Sequence, residues 1–366
     1  MKLKVLHILY SGLGGHGNVF FSMTDADKER EFQYEVLFYG IEKVRENYIE
    51  KAKARNIPWY FVKKKPGLDF SSYSRIRTII KESAPDIIFS HSSSYIYPLK
   101  RAAMAASKKI TIIVRETQPN HLKTIPQWLG LSVALFLADK VVFLSTEYRD
   151  AIKKKLFFLF SNKRTAVIPN GIDLELYFPQ QSKSEDFIRI GMQSRLSLTK
   201  DHATLIKAFS LCIKKNVTGK KLLLCIAGDG DCKPSLEALA KDLAIEANIV
   251  FTGMLEETDL PNFINSLDIY VHATLGETMS TAIMQVMACQ LPIVASDVLG
   301  VNNMINDKVN GLLVPALNEN ELAEAILFLL NNPDIAANFA RAAYKFAVNN
   351  YSNKVMLERY KMVFAK

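Results

Sequence analysis

Cysteine is scarce in this chain of 366 residues: Cys212, Cys225, Cys232 and Cys289 are the only four, none lies in a CxxC pair, and none precedes residue 212. Such spacing argues against a disulfide framework or a cysteine-built zinc site, so a reducing compartment, the cytoplasm, is the expected setting. Long apolar runs are missing as well. The longest, Leu129–Ala138, is broken by Asp139 and Lys140 and is too short to cross a bilayer. No leader is expected, because Met1 to Tyr10 reads directly as a strand. The glycine-rich turn after that strand, Ser11 to Gly17, lacks the GxGxxG spacing of a dinucleotide fingerprint. Residues 1–172 are short of acid. There 28 Lys and Arg stand against 15 Asp and Glu, a charge of +13, whereas residues 173–366 carry −4 of the total of +9. A basic half suits an anionic partner; nucleic acid, an anionic membrane surface and merely solvated lysines are all open.

What is present has a regular rhythm. β-branched and apolar runs at Leu3–Leu9, Tyr34–Tyr39, Trp59–Val62, Asp86–Ser90, Ile110–Val114, Lys140–Ser145 and Ala166–Pro169 alternate with longer polar–apolar segments. This is the pattern of βαβ units whose strands are buried on both faces. The second half repeats it at Ile188–Met192, Leu222–Ala227, Ile249–Thr252, Ile269–Val271, Ile293–Ala295 and Leu312–Val314, with helical periods near 201–215, 233–244, 258–266, 280–289 and 319–331. Between the halves, Asp173 to Asp186 is polar, holds Pro179 and lacks periodicity, as a linker does. The expected fold is α/β, two doubly wound, Rossmann-like parallel-sheet domains over residues 1–172 and 173–345, with residues 346–366 a C-terminal helix packing back on the first. Such domains bind ligands at the carboxyl ends of their strands, so a cleft between the two is the expected site. Glycosyltransferases, nucleotide-sugar epimerases and phosphorylases share that plan, so fold alone does not decide among them.

The segment Val271–Ser296 carries the most chemistry. A strand end leads to a loop with one carboxylate, Glu277, then to a helix start at Met279 or Ser280. The N–H groups at a helix start, here Thr278, Met279 and Ser280, suit an anion, and a carboxylate beside them can accept from hydroxyls. A sugar nucleotide needs both. Gly191-Met-Gln-Ser-Arg195-Leu-Ser-Leu-Thr-Lys200 places a fork-shaped guanidinium and an ammonium after a strand, as a diphosphate leaving group requires. Ala227-Gly228-Asp229-Gly230 turns from a buried strand into a helix, with Asp229 as a local cap. Pro169-Asn170-Gly171-Ile172-Asp173 reads as a turn with a cap and no chemistry of its own.

Together these segments resemble the family 4 glycosyltransferases. The Val271–Ser296 segment is similar to the family's Glu-x7-Glu stretch, with Glu277 as the first Glu, Gln285 in place of the second, and Ser280 where a Gly is common. Gly191 to Lys200 resembles its GRL-x3-K-G segment, Ala227 to Gly230 its GDGP, Pro169 to Pro179 its PNGxD…F-x-P signature, and Gly14-Gly15 its first-strand GG loop. The resemblance implies the GT-B architecture and transfer of a sugar from a nucleotide-diphosphate donor with retention. Arg195, Lys200 and Glu277 would be catalytic, and Gly14, Gly15, Gly228, Thr278, Met279, Ser280 and Gln285 would bind the donor. Gln285, uncharged, would hold the ribose hydroxyls more weakly than a Glu. His91, at the family's "PDVVHxH" position, with Arg115 and Glu116 after the next strand, would face the acceptor. Neither a cofactor nor a metal is expected, since no DxD-like carboxylate pair is read at a strand end and Arg195 and Lys200 can supply the positive charge. The implied acceptor is a saccharide or lipid-linked saccharide of surface-polysaccharide synthesis. The residues themselves add an interfacial patch: Lys153–Lys155 beside Phe157 and Phe158 suit an anionic membrane at the inner face of the plasma membrane, the alternative being a Phe/Leu run packed in the core beside solvated lysines. Nucleic acid is not expected as a partner. An epimerase and a non-catalytic nucleotide-sugar-binding protein are the alternatives.

Overall fold

In the computed structural model the chain forms two units, residues 1–171 with 353–366 and residues 172–352. The structure describes residues 2–12, 16–67, 69–180 and 186–365, apart from the side chain of residue 121. All thirteen expected strands form, each within two residues of its expected bounds. The first unit holds β1 (Leu3–Leu9), β2 (Phe32–Gly40), β3 (Trp59–Lys63), β4 (Ile87–Ser90), β5 (Thr111–Arg115), β6 (Lys140–Phe143) and β7 (Thr165–Val167). They pair in the order β3-β2-β1-β4-β5-β6-β7, every pairing parallel. Helices cover both faces, so Val5, Leu6, Ile8, Ile88 and Ile112 are buried without polar partners to satisfy.

The second unit holds β8 (Phe187–Gln193), β9 (Lys221–Ala227), β10 (Ile249–Gly253), β11 (Ile269–His272), β12 (Ile293–Ser296) and β13 (Leu312–Val314). Their order is β10-β9-β8-β11-β12-β13, again all parallel. In each sheet the order reverses beside its first strand, between β1 and β4 and between β8 and β11. Crevices for ligands open at such switch points.

The last segment joins the first unit later than residue 346. The helix Pro333–Tyr351 runs on in the second unit until Ser352 adopts extended backbone (φ −63°, ψ 147°) and ends it. Only the helix Asn353–Phe364 packs on the first sheet, where Met356, Leu357, Tyr360 and Phe364 meet Val5, Ile87, Phe89 and Ile113. An unbroken alanine-rich helical period across residue 346 hides that boundary in the sequence. Among the described residues no helix is long and apolar enough to cross a membrane.

Candidate active site

Glu277 stands in the loop between β11 and the helix Thr281–Ala288. Ser280 caps that helix, its Oγ accepting from Ile283 N–H at 3.4 Å. The loop is tied down on two sides. Leu275 N–H and the Thr274 hydroxyl both donate to Thr199 O, at 3.0 and 3.1 Å, and Glu277 N–H donates to Leu299 O at 3.0 Å. Gly300 makes this last approach feasible: its φ is +85°, and a Cβ there would sit 2.1 Å from Glu277 O.

Two partners converge on Glu277. Its Oε1 accepts from Lys200 Nζ and from His272 Nε2. Burial would raise the carboxyl's pKa, but His272 and Lys200 outweigh it and hold the value at about 2. The ring is enclosed by the rest of the cluster: Nδ1 lies 3.3 Å from the Tyr270 hydroxyl, and Ser280 Oγ lies 3.2 Å from Nε2. His272 is buried and fixes the carboxylate from beneath. The sequence reading missed it, because a lone histidine ending an apolar strand carries no pattern.

Lys200 and Arg195 leave the end of β8, across the switch point from Glu277. Lys200 is half-buried; Arg195 is exposed. Their turn is stapled by His202, whose Nδ1 lies 2.7 Å from Lys200 O and whose Nε2 lies 3.0 Å from Ser194 Oγ. Burial lowers His202's pKa to about 4, so it remains neutral. Gly228 supports the same turn. With φ +137° it lets Ser194 O approach to where a Cβ would lie only 1.9 Å away. Asp229 caps locally, accepting from Gly230 N–H at 2.7 Å. Asp229 and Asp231 both stand exposed just after β9, a DxD-like carboxylate pair at a strand end where the sequence reading expects none.

Gln285 is engaged inside the unit. Its Oε1 accepts from Gln193 Nε2, and its Nε2 donates to the Tyr177 hydroxyl at 2.7 Å. Gln193 is buried, and its Oε1 has no hydrogen-bond partner among the described residues. Thr278, Met279 and Ser280 are buried at the helix start, Ser280 using its hydroxyl as the cap.

In the first unit, Gly14 and Gly15 lie outside the described residues. His91 ends β4 with Nε2 3.0 Å from His7 Nδ1, while its Nδ1 is buried without a partner. Burial above all, and then the Arg115 guanidinium, hold His91's pKa well below the ordinary value. Arg115 ends β5, buried, and donates to Asn170 Oδ1. The turn motif that seemed to lack chemistry thus orients a buried guanidinium. Burial lowers Arg115's pKa. Glu116 is consumed internally: its Oε1 lies 3.3 Å from Lys123 Nζ, and accepts from Gln118 N–H at 3.1 Å. Lys123 also donates to the Tyr148 hydroxyl. Among the described residues no group of three or more His, Cys, Asp or Glu gathers as a metal site would require.

Residues 174–346 match the family described as Glycosyl transferases group 1, and residues 13–176 match Glycosyltransferase Family 4. The alpha-monoglucosyldiacylglycerol synthase of Streptococcus pneumoniae is 23% identical over 93% of this chain and 77% of its own length. The UDP-Gal:alpha-D-GlcNAc-diphosphoundecaprenol alpha-1,3-galactosyltransferase of Escherichia coli is 24% identical over 67% of this chain and 66% of its own. Among solved structures, Anabaena HepE in complex with UDP and glucose superposes with a TM-score of 0.80 at 18% identity over 100% of both chains. A glycosyltransferase of Rickettsia africae gives 0.83 at 17% identity over 99% of this chain and 98% of its own.

Proposed function

The chain belongs to glycosyltransferase family 4, retaining enzymes of GT-B architecture, and on that premise we propose that it moves a hexose from a nucleoside-diphosphate sugar to a lipid-linked saccharide in surface-polysaccharide synthesis. The observation that carries the reading is the meeting of Lys200 and His272 on Glu277 at the second sheet's switch point. A carboxylate held at about pKa 2 is too weak a base to take a proton from an acceptor hydroxyl. Its role is to accept from the donor sugar's hydroxyls and keep the ring in place. Negative charge gathers on the diphosphate as the glycosidic bond breaks. Arg195, Lys200 and the positive end of the Thr281–Ala288 helix offset it, which makes a metal unnecessary. Gln285, with Gln193 beside it, takes a ribose hydroxyl.

The acceptor side falls to the first unit, where neutral His91 and buried Arg115 end adjacent strands. A lipid-linked acceptor is supported by the relatives whose names specify a diacylglycerol or diphosphoundecaprenol product or substrate, and by the +13 charge of residues 1–172. Four free thiols and that charge favour work at the inner face of the plasma membrane, with nucleic acid no partner. An epimerase or a binding protein could share the two-sheet plan, but the family match supports transfer over both.

The test incubates the protein with a panel of sugar nucleotides and a lipid-linked acceptor extract, with and without a chelator. Acceptor-dependent release of free nucleotide, unchanged by the chelator, is expected. Sugar altered without nucleotide release would make it an epimerase, and binding without turnover a non-catalytic protein.

A further inference from the structure

The helix Ile125–Leu137 contains no charged residue, yet it lies on the surface of the first unit. Leu131, Ala134 and Leu135 pack inward, into the core formed with Ile112, Val114 and Val141. The opposite side leaves Ile125, Leu129 and Phe136 exposed by 85%, 65% and 66%. Positions 125, 129 and 136 share one helix face, so these side chains form a stripe rather than scattered exposures. A surface helix ordinarily carries charge on its outer side; this one presents hydrocarbon. The one-turn helix Phe157–Leu159 packs beside it and exposes Phe157 and Phe158 by 74% and 69%. Five large apolar side chains thus stand exposed on two elements that touch, as on a docking surface.

Cations frame this patch at both ends. Lys153, Lys154 and Lys155 close the preceding helix and are exposed, and Lys155 Nζ lies 3.8 Å from the Trp128 ring centroid. At the far end Arg164 donates to Phe136 O at 2.9 Å. Phe136 and Leu137 there border a cleft of about 490 Å³ whose other walls include Lys100, Lys109, Lys140 and Arg164. The acid in that wall, Asp139, already accepts from Ile112 N–H at 2.8 Å. Hydrocarbon flanked by cations complements a layer that is anionic outside and apolar within. A second copy fits poorly, because a two-fold contact through this face would set the cations that frame it against the cations of the other copy.

We propose that this face is a membrane-docking surface for an anionic bilayer. Ile125, Leu129, Phe136, Phe157 and Phe158 enter the headgroup–acyl boundary, and the surrounding Lys and Arg side chains meet lipid phosphates. The proposal deepens the reading of a lipid-linked acceptor and rests on it, since the helix follows β5 and its Arg115 in the chain.

Flotation of the full chain with vesicles of phosphatidylcholine, with and without phosphatidylglycerol, tests it. The wild type floats with the anionic vesicles only, and less so as salt rises. The double variant Ile125→Gln/Leu129→Gln binds at least about tenfold more weakly, as does the triple Lys153→Gln/Lys154→Gln/Lys155→Gln. Both keep wild-type thermal melting and wild-type nucleotide affinity by calorimetry. A double variant that floats like the wild type overturns the proposal. So does a wild type that ignores vesicles but is a dimer by light scattering, with the double variant a monomer. Transfer assayed in detergent micelles separates the two readings. Retained transfer in a vesicle-blind variant supports both, whereas vesicle binding by a wild type inactive on every lipid-linked acceptor leaves the surface and removes the acceptor.

Discussion

His272 and Gln285 show how much the second unit depends on single polar contacts. His272 donates to Glu277 and is held by Tyr270 and Ser280, so it positions the carboxylate rather than touching substrate. His272→Phe removes one of the two partners that lower Glu277's pKa, which then rises from about 2 toward 4.5. A pH–rate profile of this variant should show its acid limb moved upward, with turnover about tenfold lower, since a charge-assisted hydrogen bond contributes about 1.5–3 kcal/mol. A profile superposable on the wild type would leave His272 a packing residue. Gln285→Glu makes the converse case. Gln193 Nε2 already donates to this side chain, and the Tyr177 hydroxyl can turn to donate as well. Nucleotide affinity measured by calorimetry should therefore hold or tighten. Loss of nucleotide binding would show that the neutral amide is required.

The loops and helix starts around the site depend on backbone conformations and buried bases. Gly300→Ala adds a Cβ against Glu277 O at a positive φ. It should cost about 1–2 kcal/mol of stability and, by displacing Glu277, lower turnover about tenfold or more. Unchanged activity would mean that the loop yields without consequence. His7 and His202 are buried and neutral, with pKa values brought by burial to about 3 and about 4 from an ordinary 6.5. The sign follows from proton counting. Between about pH 6.5 and 4 the unfolded chain binds protons that the folded chain refuses, so stability falls as pH falls. Glu277 adds to the loss below 4.5, where the unfolded carboxyl protonates first. Melting temperatures from circular dichroism should drop steadily over that range, and His202→Asn should flatten part of the slope. A flat profile would contradict the assignment of neutral buried imidazoles.

At the scale of the molecule, the two-sheet plan was legible because strands buried on both faces must be continuous apolar runs, and all thirteen form where such runs stand. Glu277 and Lys200 were legible because each follows a strand by a short turn, so strand order alone brings them together. Their supports were not. Gln193 meets Gln285 across 92 residues, and Arg115 meets Asn170 across 55; such pairs depend on which strands become neighbours, and no local pattern records that. Glu116 misleads for the same reason, since its role depends on Lys123 folding back over it. The exposed stripe on the Ile125–Leu137 helix resembles a core helix until its outer side is seen uncovered. The central claim is that the site at the second sheet's switch point transfers sugar through Glu277 and Lys200. Its most direct test is the rate of acceptor-dependent nucleotide release by Glu277→Gln and Lys200→Ala beside the wild type, with folding checked by circular dichroism. The account predicts a fall of about tenfold to a hundredfold or more in each variant, with the fold intact. Wild-type rates in both would contradict it.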